Sequence, residues 1–374
     1  MLYQARRVKR LAVLTAWALA AGCVTPETSS TTCAGIALDE PLVLLESDLR
    51  TTSGLGAIGR DGCLTEVAGA LALGADTQLA SSAGRVFLLD RDAGLVHEID
   101  PVALRILRTF PAELAGEGRS NPQDAAVDAE GRIWVTRFEQ ATLAILSGGD
   151  RIDTIDLGAF ADADGLPEMA GIHIAGGRAH VALQKLDAAA IYPPTGPGAV
   201  LSIGTADPSD IRPIPLIGRN PFNRLAPAPF DPSLLVVATP GFFDEVSPDD
   251  GIDLVDTGAG AARQLIGEPA LGGSATEVRL AAPDEGYAIV TGPEEGVNPT
   301  SVVAFNPETG QVTRTLARAD GFYHWGLELA GRHVVVGDRT PGGARVLFFD
   351  RATGAVDGEI PVQQMAPVSL RALR

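Results

Sequence analysis

The sequence predicts an all-β protein, a seven-bladed β-propeller whose first blade is completed by a C-terminal strand. A block of five or six mostly apolar residues recurs six times, and its copies start at residues 85, 132, 178, 234, 286 and 332. The intervals of 47, 46, 56, 52 and 46 residues contain only further short apolar runs and turns. A period of that length built from short strands is typical of propellers, in which each repeat is one four-stranded blade.

Each repeat is expected to form four short strands joined by turns, as the second blade illustrates. Its strands are predicted at 76–81, 85–89, 94–99 and 105–110, since these runs are β-branched or alternating and are bounded by Gly, Pro and Asp. The complete blades are predicted at about 70–113, 120–157, 168–216, 220–266, 274–317 and 320–362. In the last two, an Asn/Asp-x-x-Thr-Gly turn joins the third and fourth strands, and its Gly accepts a positive φ.

Two pieces of sequence remain outside these six repeats. Residues 42–67 contain three short apolar runs, and residues 367–374 contain one. Three strands and one strand make a seventh blade, with the C-terminal strand innermost, which closes the ring and removes exposed sheet edges. We therefore expect a single propeller domain over residues 41–374.

The short inner strands and the Thr-Gly turns resemble those of NHL, YVTN and gluconolactonase-type propellers. Residues 120–124, 162–169 and 218–222 (SNPQD, DADGLPEM and GRNPF) further resemble segments of propeller lipoproteins of the bacterial envelope. No activity is established for those lipoproteins. The resemblance therefore implies a fold and a location in the envelope, and it lends no function.

The N-terminal residues predict export and a lipid anchor. A basic segment with Arg6, Arg7, Lys9 and Arg10 precedes a short apolar stretch, so residues 1–22 read as a signal peptide. The sequence Ala20-Ala21-Gly22-Cys23 resembles a lipobox, in which Cys23 would carry the lipid, although Ala20 stands where Leu is preferred. The alternative is an ordinary secretory signal with a free cysteine nearby. Residues 23–40 are expected to form a tether, because the Pro, Ser and Thr of residues 24–32 cannot bury enough apolar surface to fold.

The two other cysteines, Cys33 and Cys63, are expected to form a structural disulfide. Cysteines outside the cytoplasm usually pair, and a bridge here would fix the incoming segment to the first blade. The alternative is two buried free thiols. The three cysteines contain no CxxC spacing, so a zinc site is not expected.

The charge of the chain excludes one class of partner. The formal net charge is −18, and removing residues 1–22 with their four cations gives −22. An acidic surface repels nucleic acid, so no nucleic-acid partner is expected. The membrane would be contacted through the lipid anchor only, which leaves an envelope protein or a small molecule as the ligand.

The loops that enter the inner strands hold the candidate binding residues at the channel mouth. These are Asn121, Glu168, Asn220, Glu277 and His324. Propeller ligands usually bind there, on loops held by a rigid ring. The alternative is that the Asn-Pro and Pro-Glu segments are only turns that every blade needs. His324 is also the one histidine placed to act as a base, although a channel-wall role is as simple.

Only one segment suggests a metal. Asp162, Asp164 and Glu168 could place hard oxygen ligands on one loop, and calcium is the cation that such a loop suits. It lacks the pattern of an EF-hand, and the alternative is a solvated Asp-rich turn. No other cofactor is indicated. The function expected is a lipid-anchored binding or scaffold module of the cell envelope. The alternative is a metal-dependent lactonase-type hydrolase that uses Glu168, Asn220 and Glu277 as ligands, with His324 assisting.

Overall fold

The computed structural model is a ring of seven antiparallel sheets, and it confirms the predicted propeller. It describes residues 31–67, 71, 73–148, 151–190, 192–243, 245–293 and 297–373. Cys23 and the predicted signal peptide lie outside the described residues. Among the described residues, no helix has the length and apolar character that would cross a membrane.

Each blade contains four strands in chain order from the channel outward, except the first, which has a shifted order and a fifth strand. Blade 1 contains β1 (Thr31–Cys33), β2 (Leu42–Ser47), β3 (Ser53–Ile58), β4 (Cys63–Val67) and β29 (Ala366–Ala372). Blade 2 contains β5 (Thr77–Ser82), β6 (Arg85–Asp90), β7 (Leu95–Asp100) and β8 (Arg105–Pro111). Blade 3 contains β9 (Pro122–Val127), β10 (Ile133–Arg137), β11 (Thr142–Ser147) and β12 (Arg151–Asp156). Blade 4 contains β13 (Met169–Ala175), β14 (Arg178–Leu183), β15 (Pro197–Gly204) and β16 (Ile211–Arg219).

The remaining three blades follow the same plan. Blade 5 contains β17 (Phe222–Ala228), β18 (Asp231–Thr239), β19 (Gly251–Asp256) and β20 (Ala261–Gly267). Blade 6 contains β21 (Ser274–Ala282), β22 (Glu285–Thr291), β23 (Thr300–Asn306) and β24 (Gln311–Ala319). Blade 7 contains β25 (His324–Ala330), β26 (His333–Asp338), β27 (Arg345–Asp350) and β28 (Val356–Pro361). The helices described are one α-helical turn, α1 (Glu268–Leu271), and 3-10 turns at Gly158–Phe160 and Ala188–Ala190.

The ring closes through the C-terminal strand, as the sequence predicts. β29 pairs with β2, with Leu370 opposite Leu44 and Ala372 opposite Leu42. The N–H of Leu373 also donates to the carbonyl of Pro41 over 2.9 Å. The last strand, β29, and β2 near the start of the chain are therefore neighbours in one sheet.

The fifth strand of blade 1, β1, lies within residues 23–40, where the sequence predicts a tether. Thr31–Cys33 pairs with the outer strand β4, and Cys33 lies opposite Cys63. The two sulfurs form a disulfide, which confirms the predicted bridge. The last part of the assigned tether is thus fixed to the outer edge of the propeller.

The hydrophobic core is divided among the blade interfaces. The described residues form seven buried clusters, and each lies between two consecutive blades around the ring. Strand alternation explains the division, because successive side chains point to opposite faces of a sheet. In β6, Val86 and Leu88 pack toward blade 1, whereas Phe87 and Leu89 pack toward blade 3.

Near the channel the blades are joined through irregular positions of their inner strands. The carboxylate of Asp124 accepts the N–H of Ile172 at the bulge of β13 over 3.0 Å, and Glu277 accepts those of Gly326 and Leu327 in β25 over 2.7 and 3.0 Å. Elsewhere the backbones touch without a side chain between them. A Cβ on Gly171 would lie 2.5 Å from the amide nitrogen of Leu225, so only glycine fits there.

Two carboxylates hold the segment that leads into the closing strand. Glu66 accepts the N–H groups of Gln363 and Gln364 over 3.0 Å each, and Glu46 accepts that of Met365 over 3.2 Å. Both side chains are buried. Burial and the nearby Glu66 carboxylate raise the pKa of Glu46 to about 8. The closure therefore depends on buried acids as well as on the strand pairing.

Candidate functional site

The candidate site is a cavity of about 520 Å³ at the end of the channel where the inner strands begin. All seven blades contribute to its lining, from Leu49 and Arg371 in blade 1 to Phe322 and Trp325 in blade 7. The loops that enter the inner strands and the loops between the second and third strands meet there. This is the channel mouth that the repeat pattern predicts.

Two of the sequence-predicted residues, Asn121 and Asn220, line the cavity and shape the turns beside it. Both have a positive φ, of 48° and 54°, which Asn tolerates better than most residues. The amide of Asn220 accepts from Gln184 over 2.6 Å and donates to the carbonyl of Gly241 over 2.8 Å, so it joins three loops. Asn121 and Asn220 therefore serve both as turn residues and as part of the cavity wall, the two alternatives that the sequence leaves open.

Glu168 has the same turn conformation, with a φ of 42°, but it does not line the cavity. Its side chain is fully buried and one carboxylate oxygen accepts the N–H of Leu186 over 3.0 Å. Burial raises the pKa of Glu168 to about 8. The expectation that Glu168 reaches the channel mouth therefore needs correction, because the side chain turns under the loop that contains Leu186.

The acidic loop does not form a ligand set. Asp162 accepts the hydroxyl of Thr195 over 2.7 Å, and Asp164 accepts the N–H groups of Leu166 and Ala188. Across the part of the chain that the structure describes, no three His, Cys, Asp or Glu side chains are grouped to hold a metal ion. Asp162, Asp164 and Glu168 therefore do not form the expected three-ligand calcium group. Of the lactonase-type set, Asn220 and Glu277 line the cavity, whereas Glu168 does not.

Glu277 and His324 both line the cavity, and each is already bonded within the propeller. Both oxygens of Glu277 accept backbone N–H groups of blade 7, as described above. Nδ1 of His324 lies 3.1 Å from the hydroxyl of Thr300, and burial lowers the pKa of the imidazole. His324 is therefore a neutral group of the channel wall at neutral pH.

Three arginines near the mouth are not among the site residues predicted from the sequence. Arg224 and Arg371 line the cavity, and Arg279 lies close to both. Arg224 pairs with Glu328 over 2.8 Å, and Arg279 lies 3.6 Å from the same carboxylate. Arg371 pairs with no acid among the described residues. Its Nη1 donates to the hydroxyl of Ser369 and the carbonyl of Leu370, over 3.0 and 2.8 Å.

Aromatic side chains form the outer part of the cavity. Seven of the 19 aromatic residues of the chain (12 Phe, 3 Trp and 4 Tyr) line it. Six of them form contacting pairs, with ring centroids 5.0 to 5.7 Å apart: Phe138 with Tyr192, Phe222 with Phe243, and Phe322 with Trp325. Tyr192, Phe243 and Phe322 are between 37% and 43% exposed. An exposed apolar group of this kind is typical of a binding surface.

A signal for the missed arginines is present in the inner strands. In β21, β25 and β29, a charged residue stands two positions after the residue that contacts the next blade. In β21 the contact residue is Glu277 and the charged residue is Arg279. A charge inside an otherwise apolar strand marks a side chain that faces the channel. The aromatic rim has no such signal, because Tyr192 and Phe243 lie in loops of irregular length.

Comparison with solved structures agrees with this architecture. A protein from Lactobacillus plantarum is 17% identical, with a TM-score of 0.60 over 90% of this chain and 99% of that chain. A streptogramin B lyase is 13% identical, with a TM-score of 0.53 over 78% of this chain and 85% of the other. Virginiamycin B lyase from Staphylococcus aureus is 12% identical, with a TM-score of 0.52 over 83% and 96%.

These similarities show the propeller fold alone, because the identities are far below the level at which activity is shared. No family profile matches the chain, and no curated protein matches it in sequence. The propellers that it resembles in structure include lyases, and a likeness of fold does not carry function between them. Function must therefore be argued from the cavity itself.

Proposed function

We propose that the protein is a ligand-binding module whose site is the cavity at the channel mouth. The observation that carries this proposal is the concentration of exposed aromatic side chains around a cavity of about 520 Å³. That volume lies within the usual range for small-molecule sites, which combine apolar walls with a few placed polar groups. Asn121, Gln184 and the channel arginines supply such polar groups here.

The module is further proposed to act in the bacterial cell envelope, attached through a lipid on Cys23. The basic and apolar pattern of residues 1–22 supports export, and the Cys33–Cys63 disulfide fits an oxidising compartment. A Cys23→Ser variant should move from the detergent phase to the aqueous phase on Triton X-114 partitioning. A Cys23→Ser protein that stays with the detergent would contradict the anchor.

A fragment screen tests the binding function. The protein is screened by ligand-observed NMR against neutral and charged small molecules, and each hit is repeated on two variants. Phe243→Ala removes a rim side chain, whereas Phe230→Ala removes one of similar exposure, 40% against 37%, that does not line the cavity. We expect hits to weaken with Phe243→Ala and to persist with Phe230→Ala. Hits that respond equally to both variants, or a screen without hits, would contradict the proposal.

A further inference from the structure

The guanidinium of Arg371 is a poorly compensated charge at the channel mouth. Arg371 is 8% exposed and lines the cavity, and no acid lies within ion-pair distance among the described residues. Its Nη1 makes the two hydrogen bonds described above, while Nε and Nη2 make none within the described part of the chain. A buried cation with unused donors is costly unless a partner is supplied.

The neighbours of Arg371 increase that cost. Burial and the nearby charges of Arg224 and Arg279 together lower the pKa of Arg371 to about 9, and the carboxylates Glu277 and Glu328 oppose this shift. Arg224 also lines the cavity, and among the described residues its guanidinium bonds only through Nη1, to Glu328. Two guanidinium groups therefore offer free N–H donors to the same space.

The acids of the cavity wall do not use those donors. Both oxygens of Glu277 accept backbone N–H groups, and the two oxygens of Asp124 accept those of Ala125 and Ile172. Burial raises the pKa of Asp124. The carboxylates of Glu277 and Asp124 are thus engaged by the backbone, while Nε and Nη2 of Arg371 have no hydrogen bond among the described residues.

The aromatic rim lies above this base. Trp325 and Phe322 pack edge to face, and the guanidinium of Arg339 lies 5.0 Å from the centre of the Trp325 ring. A ligand that fills the cavity would contact donors at one end and apolar rings at the other. Such a site selects a molecule with an anionic head and an apolar body.

We propose that the cavity binds an organic carboxylate, with the carboxylate on the free donors of Arg371 and Arg224 and the apolar part against the rim aromatics. This inference rests on the proposed binding function and adds the chemical class of the ligand. It involves no covalent step. Bidentate contact between a guanidinium and a carboxylate is strong because both groups are planar and charged.

The test compares a carboxylate with its neutral amide on the full chain. The probes are 3-phenylpropionate and 3-phenylpropionamide, which share the ring and the linker, and affinity is measured by titration calorimetry. We expect the carboxylate to bind about tenfold more tightly than the amide or better, since hydrogen bonds to a charged group are stronger than those to a neutral one. Tryptophan emission reports the place, because Trp325 lines the cavity whereas Trp134 is fully buried.

Variants assign the effect to Arg371. Arg371→Gln should remove the preference for the carboxylate and leave the affinity for the amide unchanged, and Arg371→Lys should give an intermediate result. Arg105→Gln removes an equal charge from an exposed side chain on β8 and should change neither affinity. If Arg371→Gln does not fold, the wild-type comparison of the two probes still decides the matter.

The outcomes separate this inference from the binding function. An amide that binds as tightly as the carboxylate overturns the anionic class, while the cavity remains a binding site. Inorganic phosphate that binds as tightly as 3-phenylpropionate overturns the role of the aromatic rim in this inference. If neither probe binds although the fragment screen has hits, the class is wrong and the site stands. If the screen also fails, both proposals fall.

Discussion

At the scale of single residues, the cost of buried charge differs sharply between two arginines. Arg137 is fully buried, and its guanidinium bonds to the carbonyls of Thr142 and Ala112, over 2.9 and 3.2 Å, and to Glu117. Among the residues that the structure describes, Arg371 has two acceptors and no acid partner. The first arginine is compensated within the fold and the second is not, so the first supports stability while the second is available to a ligand.

Replacing each arginine by Met should therefore have opposite effects on stability. Arg137→Met leaves Glu117 and two carbonyls without a partner, and should lower the free energy of unfolding by about 3–5 kcal/mol. Arg371→Met replaces a poorly compensated cation by an apolar side chain, and should leave that free energy unchanged or raise it by about 1–4 kcal/mol. Guanidinium-chloride denaturation of the two variants measures both. An equal loss in both would show that Arg371 has a structural role instead.

The buried Glu46 makes stability depend on pH. Its pKa is about 8 in the folded protein against 4.5 as the ordinary value, so the folded state binds a proton that the unfolded state releases. The stability from Glu46 is complete below pH 4.5 and is lost as the pH rises to about 8. Glu168 and Glu268, with pKa values raised to about 8 and 7, act in the same direction.

Glu46→Gln should flatten this dependence, because an amide is neutral throughout. We expect the loss of melting temperature between pH 5 and pH 8.5 to be clearly smaller than in the wild type, with the gain seen mainly at the higher pH. Glu308→Gln, at an exposed turn, is the matched control and should keep the wild-type dependence. A Glu46→Gln protein with an unchanged pH profile would show that the carboxyl is ionised in the folded state.

At the scale of elements, β29 and β1 occupy opposite edges of the first blade. The sequence predicts β29 because three strands near the start of the chain need a fourth to complete a blade. β1 was not foreseen, because Thr31-Thr32-Cys33 has no apolar period and becomes a strand only through its pairing with β4. Local patterning predicts strands that bury side chains, and it misses those that are held by a neighbour and a disulfide.

Deleting residues 367–374 should destabilise the whole propeller. The deletion removes the innermost strand of blade 1, exposes the edge of β2 and opens the clusters that blade 1 shares with blades 7 and 2. We expect a lower melting temperature and binding of a hydrophobic dye. A Cys33→Ser, Cys63→Ser variant is the control, since it releases only β1 at the outer edge and should cost less. An unchanged melting temperature in the deletion would contradict closure by β29.

At the scale of the whole molecule, the ring was predictable and much of the site was not. Six repeats at intervals of 46 to 56 residues, together with the strands at the two ends, determined the number of blades, and four of the five residues expected at the mouth line the cavity. The prediction that Glu168 lines the mouth is wrong, because the direction of a side chain after a tight turn depends on the neighbouring loop. The rim aromatics have no sequence signal, because they meet only once the seven blades are assembled. The charge within β29 marks Arg371 as facing the channel, but it does not show which residues surround it.

A closed ring should tolerate new ends. Leu373 and Pro41 are hydrogen-bonded neighbours, so a short linker can join residue 373 to residue 41 while the chain is opened at residues 116–118, between blades 2 and 3. This permutant lacks β1 and should melt in one transition, close to the variant without the disulfide. Two separate transitions would show that the blades at the new ends no longer belong to the same cooperative unit.

The strand β1 also has a consequence for orientation. Cys23 precedes Thr31 by eight positions, so the chain between them can span at most about 28 Å. It reaches the fold at the outer rim of blade 1, so an anchor at Cys23 would make that blade the nearest to the bilayer. Blades 4 and 5, on the far side of the ring, would then face away from the membrane, where other molecules of the envelope could approach them.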